Sequence, residues 1–337
     1  MEPISADAVA SEGATRAPLG WVEDVLPGYE AKDLGAPTAY PARADGELAR
    51  TLVRRVDLPE QVCGVALVVH GYNDYFFGVH LADALADAGC AVYAVDMRRA
   101  GRSLREGNQA HHLDHIAELG EDIGDAARAA VADAHERTGA DLPLVVHAHS
   151  TGALGAAVWA HDAPDPALAG LVLDGPLFGL PMTAWQAAAM RMVPSLARVR
   201  PRQVVVPAPS PYTTGLIERG WDFDTRWKSP AGVGATAGWL AATRAARRRV
   251  AGGLDIRVPV LVGSADSTGP DRLDNPRHGS QDTVVDVSAI EAYAPGIGED
   301  VELLVVPGAI HDLALSADEP RAVYLEAVRA FVIRVLS

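Results

Sequence analysis

The chain predicts an α/β protein with a doubly wound, mostly parallel sheet and a helical insertion, on three observations. Short continuous apolar runs rich in Val and Leu alternate with longer Ala-rich stretches at helical spacing. Such runs suit parallel strands covered on both faces. The alternation then breaks between about Pro176 and Gly253, and resumes after it.

Taken in order, Gly64–His70 (GVALVVH) reads as a buried strand, and Val79–Gly89 as a helix closed by glycine. Cys90–Asp96 (CAVYAVD) is the next strand, and His111–Gly139 a long amphipathic helix ended by Gly139. Leu142–Ala148 (LPLVVHA) and the helix Ser150–His161 follow, then a strand centred on Leu171–Leu173. The interrupting segment carries Pro181, Pro194, Pro201, Pro207, Pro209 and Pro211, with Trp185, Trp221, Trp227 and Trp239. It reads as short helices and loops, its tryptophans as packing of the lid, with the lining of an apolar acyl pocket by one or two of them as the alternative. The pattern resumes with Arg257–Gly263 (RVPVLVG), a helix near Val285–Tyr293, the strand Val301–Val306 and a closing helix from about Glu319 to Leu336. Strand–helix alternation is the mark of a doubly wound sheet. The expected organisation is a loose tail over 1–20, a core made of 21–177 and 254–337, and a lid-like insertion over 178–253.

Composition narrows the partners. Hydrophobic residues are 49% of 337, enough for a large core. Lys plus Arg number 29 against 44 Asp plus Glu, a formal net charge of −15. A surface of that sign repels phosphate backbones and anionic lipid, so no nucleic-acid partner is expected. The first twenty residues lack a basic start and an apolar core, and no apolar run reaches the roughly 18 residues of a membrane span. A soluble, cytoplasmic protein without stable membrane insertion is expected; the oligomeric state stays open. Cys63 and Cys90 form no C-x-x-C pair and are expected as buried free thiols.

The chemistry is expected at strand ends. Ala148-His149-Ser150-Thr151-Gly152 stands where a strand hands over to a helix, the small-x-Ser-x-small form of a nucleophile elbow. A sharp turn there lifts the Ser150 hydroxyl clear of the sheet, and small residues on either side avoid clashes. The helix N-terminus supplies free N–H groups and a positive dipole end. The plainer alternative is a serine N-cap on an ordinary strand–helix loop.

His70-Gly71-Tyr72-Asn73-Asp74-Tyr75 follows the first buried strand. Acyl transfer needs two donors aimed at the developing oxyanion. The backbone N–H groups of Thr151 and Tyr72 are the candidates, with Gly71 allowing close approach. Gly71 and His149 are placed with the substrate-contacting residues, and His70 is read as structural. His311, in the loop after the last strand, is the candidate base, because the order Ser, acid, His along the chain suits this architecture. Asp312 is expected to face away. For the acid that orients the histidine, Asp266 follows the strand RVPVLVG directly. Asp282 reaches the same strand end if the intervening loop folds out and back. Asp286 reads as an exposed helix residue.

Other polar clusters take plainer readings. His111, His112, Asp114 and His115 read as a solvated helix start, since a zinc site needs three or four ligands and no third is evident. Arg98, Arg99 and Arg102 read as a structural loop paired with Asp96, and Arg247–Arg249 as a helix end complementing the dipole. No metal and no cofactor is expected.

The elements HGYNDYFF, YAVDMRRAGRSL, AHSTGAL, LVLDGPLFGLP, QDTVVDV and GAIHDLALS together resemble the α/β-hydrolase group that includes monoacylglycerol lipases, lysophospholipases and serine aminopeptidases, its actinobacterial members in particular. The likeness runs from about Trp21 to the end, and Ala148 departs from the usual glycine. It implies a serine hydrolase acting through an acyl-enzyme on Ser150, with a small-molecule acyl substrate and a helical lid over the nucleophile. In this group the acid opens an Asp-x-apolar-x-Asp stretch, which Asp282–Asp286 matches, so the resemblance favours Asp282 over Asp266. Substrate choice stays open among carboxylic ester, aminoacyl amide, thioester, lactone and perhydrolysis, and a non-catalytic binding protein remains the reading from another class.

Overall fold

The computed structural model describes residues 20–40, 46–208 and 211–337. The loose tail expected over 1–20 lies almost wholly outside the described residues.

Three strands come first: β1 (Val22–Glu23), β2 (Tyr29–Asp33) and β3 (Thr51–Arg55). Then follow β4 (Gly64–Val69), α1 (Val79–Asp87), β5 (Cys90–Asp96), α2 (Ala117–Thr138), β6 (Leu144–His149), α3 (Ser150–Asp162) and β7 (Leu168–Asp174). The chain next leaves the sheet for α4 (Ala184–Ala189), α5 (Val193–Val199), β8 (Val204–Val206), α6 (Pro211–Glu218), β9 (Ala235–Thr236) and α7 (Ala237–Ala251). It returns with β10 (Val260–Ala265), α8 (Val287–Tyr293), β11 (Val301–Val306) and α9 (Asp318–Leu336).

The main sheet runs β1-β2-β3-β5-β4-β6-β7-β10-β11. From β5 to β11 every pairing is parallel, and β1, β2 and β3 extend that edge antiparallel. All six residues of β4 and of β6 are buried, as strands covered on both faces require. One core layer packs Leu119, Ile123, Leu154 and Trp159 of α2 and α3 on the sheet. The other packs Leu81 and Leu85 of α1 with Tyr324, Val328 and Phe331 of α9. The insertion lies against the first layer through Trp239, Leu240 and Ala246 of α7.

Strand order reverses at β4: the chain goes from β4 to β5 on one side, then to β6 on the other. A crevice opens outside the carboxyl ends of strands at such a switch point. Val69 of β4 registers with Ala148 of β6, so the loops after these two strands sit side by side. Ala265 of β10 registers with Val306 of β11, which pairs the two later loops in the same way.

Some elements differ from the sequence reading. The long helix begins at Ala117, not His111. His111 has φ +57°, a left-handed value that ends any helix there. His111 and His112 are buried, not solvated; His112 Nδ1 meets Thr236 Oγ1 at 2.9 Å. Cys63 is exposed, and only Cys90 is a buried thiol. Trp185 is 70% exposed and packs no core. The arginine loop is a built ion network: Arg102 joins Asp96 and Asp24, and Arg98 joins Asp122 and Glu121. No helix among the described residues is long and apolar enough to cross a membrane.

Candidate active site

The candidate elbow joins β6 to α3. β6 ends at His149, and Ser150 opens α3 with φ +54°. A left-handed φ at a non-glycine residue costs of order 1–3 kcal/mol and persists only where the surroundings enforce it. Here the enforcing contacts are tight. A Cβ on Gly152 would lie 2.2 Å from the His70 carbonyl oxygen, and one on Gly71 would lie 3.0 Å from Ser150 Cβ. The loop after β4 and the elbow after β6 therefore touch at two positions that only glycine allows. His70 locks its loop: its Nε2 accepts from the Met97 N–H at 3.1 Å, and its Nδ1–H donates to the Gly71 carbonyl at 2.8 Å.

His311 comes to Ser150 from the loop after β11. The Ser150 hydroxyl donates to His311 Nε2 at 2.8 Å, and His311 Nδ1–H donates to Asp282 Oδ2 at 2.9 Å. All three side chains are buried, Asp282 to 1% exposure. The Asp282 carboxylate is fixed in turn: its Oδ1 accepts from the Val284 and Val285 N–H groups at 2.7 and 2.8 Å.

Asp282 reaches that place because residues 267–281 leave β10 and come back to it. The Asp282 N–H donates to the Ser267 carbonyl at 2.9 Å, and the Gly269 N–H to the Asp282 carbonyl at 2.8 Å, a parallel bridge beyond the strand end. Thr268 Oγ1 fastens the return by accepting from the Val287 N–H at 2.8 Å and donating to the Val285 carbonyl at 3.1 Å. Asp266 is exposed; it meets Ser267 and Arg277 and does not reach His311. Asp286 caps α8 through the Ser288 N–H.

Tyr72 and Thr151 both line the cavity over Ser150, a space of about 160 Å³ that also has Leu177, Leu180, Val284 and Trp239 in its wall. Thr151 lies in the first turn of α3, where N–H groups have no partner within the helix. The Tyr72 phenol donates to the Gly234 carbonyl at 3.1 Å and ties the loop to the insertion. A larger groove of about 620 Å³ lies elsewhere, between the start of α2 and helices α5 and α7, and holds no serine–histidine pair.

Behind Ser150, His149 sits in a buried ion cluster. Its Nδ1–H donates to the Asp174 carbonyl at 3.2 Å, and its Nε2 lies 3.9 Å from Asp312. Burial works to lower the imidazole pKa, but Asp312, Asp174 and Asp74 outweigh it and raise the group to about 9. His149 is thus a buried cation one residue from Ser150. Asp312, expected to face away, is half-buried and belongs to this cluster. Asp74, at the other side, is paired with Lys228 at 2.8 Å. Burial would raise its pKa, and Lys228 with His149 holds it low.

The sequence reading missed two contributions of the insertion. The Tyr212 phenol accepts from the Asp312 N–H at 3.1 Å, and its ring stands edge-on to His311 at 5.8 Å. Lys228 neutralises Asp74. Neither residue lies in a spacing pattern tied to the elbow, so no local signal marked them.

Known proteins place the chain further. Residues 60–267 match the family described as serine aminopeptidase, S33. A monoacylglycerol lipase of Mycolicibacterium smegmatis is 36% identical over 115 residues, 34% of this chain and 38% of that protein. The matched stretch therefore spans little more than a third of that relative. Among solved structures, a monoacylglycerol lipase of Paleococcus ferrophilus superposes with a TM-score of 0.62 at 17% identity, over 86% of this chain and all of the other. A soluble variant of the Saccharomyces cerevisiae monoglyceride lipase, in complex with a substrate analog, gives 0.63 at 16%, over 98% and all. At such identities these two show the fold, a mostly parallel sheet of the α/β-hydrolase type with a helical insertion.

Proposed function

The chain belongs to the serine aminopeptidase S33 family of α/β hydrolases, and from that premise we propose that it cleaves carboxylic esters through an acyl-enzyme on Ser150. The observation that carries the reading is the continuous relay Ser150–His311–Asp282, with both bonds under 3 Å and all members buried. Ser150 attacks the acyl carbon while His311 Nε2 takes its proton and passes it to the leaving alcohol. Asp282 holds His311 in the Nδ1–H tautomer and stabilises the imidazolium as it forms. The Tyr72 and Thr151 N–H groups receive the oxyanion. Water activated by His311 then releases the acid, with no call on a metal or cofactor. Residues 178–253 act as the lid, with Leu180, Tyr212 and Trp239 shaping the cavity wall.

An ester is favoured over an aminoacyl amide by the charges at the cavity. Recognition of a free α-ammonium calls for an unpaired carboxylate. Asp74 lines the cavity but is held by Lys228, and Asp282 is committed to His311. The remaining wall is largely aliphatic and aromatic, which suits an acyl chain.

The test is a panel of p-nitrophenyl esters of rising chain length against aminoacyl p-nitroanilides. Ester turnover that disappears in Ser150→Ala is expected. Turnover of the anilides alone would remove the esterase reading and leave an aminopeptidase.

A further inference from the structure

Four consecutive residues of the loop after β4 are each bonded to one stretch of the insertion. The Tyr72 phenol donates to the Gly234 carbonyl at 3.1 Å. The Asn73 amide closes on the backbone of Ser229: its Nδ2–H donates to the Ser229 carbonyl and its Oδ1 accepts from the Ser229 N–H, both at 2.9 Å. Asp74 accepts from Lys228 Nζ at 2.8 Å, and the Tyr75 phenol accepts from the Asp224 N–H at 2.7 Å. Asn73, Asp74 and Tyr75 are buried. A buried polar group that loses its partner costs more than the bond itself contributes, so each tie resists opening.

Asn73 also has φ +52°. Asparagine tolerates the left-handed region better than most residues, but such a backbone persists only where its surroundings hold it. The clasp on Ser229 is that hold. On the other side, Gly71 is pressed against the elbow, where a Cβ would lie 2.9 Å from His149 Cδ2. The Gly71 carbonyl accepts from His70 Nδ1–H at 2.8 Å. The peptide unit that joins Gly71 to Tyr72 is planar, so fixing both ends fixes where its N–H points. The core fixes one end and the insertion the other.

We infer that Asn73 is a positioning residue, whose clasp on Ser229 aims the Tyr72 N–H at the oxyanion. Residues 213–234 of the insertion then help to build the site as well as cover it. The inference rests on the ester-cleaving reading above, in which Tyr72 is one of the two donors. Donors of this kind act where charge develops, and displacement by about 1 Å can cost about 10²-fold in rate.

Asn73→Gly tests the clasp apart from the backbone, because glycine adopts this φ freely. For a p-nitrophenyl ester, kcat should fall about 10–100-fold with KM within about twofold of the parent, since the donor acts on the transition state. The pH at which kcat/KM is half-maximal reports His311 and should not move. The deciding readout is the matching thionoester. Sulfur is a weak hydrogen-bond acceptor, so a thionoester gains little from the donor, and its kcat should fall by less than about threefold. Tyr72→Phe removes one tie of the four and should show the same pattern with a smaller loss; it carries the test if urea unfolding shows that Asn73→Gly folds poorly. Equal losses on ester and thionoester would overturn the inference, as would an unchanged kcat or a change confined to KM. A parent that cleaves no ester removes the esterase reading instead. The rate of fluorophosphonate labelling at Ser150 then reads the clasp alone, because the phosphoryl oxygen takes the oxyanion's place: slower labelling of Asn73→Gly supports the inference, and equal rates overturn it.

Discussion

At the scale of the residue, the site turns on which carboxylate meets His311. Asp266 and Asp282 were equally open to the pattern of apolar runs, and only the resemblance favoured Asp282. The geometry has a plain cause for the difference. Asp282 is buried, bonded to His311, and fixed by two backbone N–H groups, whereas Asp266 is exposed at the strand end. Turnover of Asp282→Asn should therefore fall about 10⁴-fold, as orienting aspartates do in known triads. Asp266→Asn should stay within about threefold of the parent, since among the described residues its carboxylate meets Ser267 and the exposed Arg277. Steady-state kinetics on one ester decides the point; equal losses in the two variants would remove Asp282 from the relay. Ser150 and His311 were legible because the strand–turn–helix and strand–loop–helix contexts surround them. Lys228 and Tyr212 were not, because they arrive from a segment whose path no periodicity encodes.

At the scale of the element, the return of residues 267–281 to β10 brings Asp282 to His311. Thr268 holds that return with two hydrogen bonds to the segment after Asp282. Thr268→Ala leaves the Val287 N–H and the Val285 carbonyl without these bonds, which should destabilise the fold by about 1–3 kcal/mol. On the proposed mechanism kcat should fall more than KM changes, because the loosened carboxylate is the group proposed to orient His311. Urea unfolding and kinetics on the same variant check both statements, and unchanged stability would show that the bridge is incidental. The central strands were legible because burial on both faces leaves continuous apolar runs. The antiparallel side was not: β2 reads Tyr-Glu-Ala-Lys-Asp, with two of its five residues acidic and one basic, and a half-buried strand next to a two-residue edge strand tolerates such a sequence. The start of α2 was misread because His111 adopts a left-handed backbone that composition does not announce.

At the scale of the whole molecule, buried histidines of opposite behaviour set the pH range of stability. Burial pushes His111 down to about 3. Burial pushes His147 down to about 4, against the pull of Asp312. Both pKa values lie below the unfolded value near 6.5. The unfolded chain therefore binds more protons as pH falls below 6.5, and stability is lost in that direction, by about 2 kcal/mol per histidine at pH 5. His149 is raised to about 9, so its contribution is full below 6.5 and is lost as pH rises from 6.5 toward 9. A stability maximum near pH 6.5 follows, with a steeper fall on the acid side. Urea unfolding across pH 5 to 9 measures it. His147→Gln should flatten the acid limb, and a profile that keeps rising to pH 9 would show that His149 is not held as a cation.

The central claim is that Ser150 is the nucleophile, activated by His311. The most direct measurement is the intact mass of the protein after treatment with a fluorophosphonate, followed by mapping of the modified peptide. One adduct per chain, located on Ser150 and absent from Ser150→Ala and His311→Ala, is the predicted result. An adduct that persists in Ser150→Ala, or one that maps to another residue, would contradict the account.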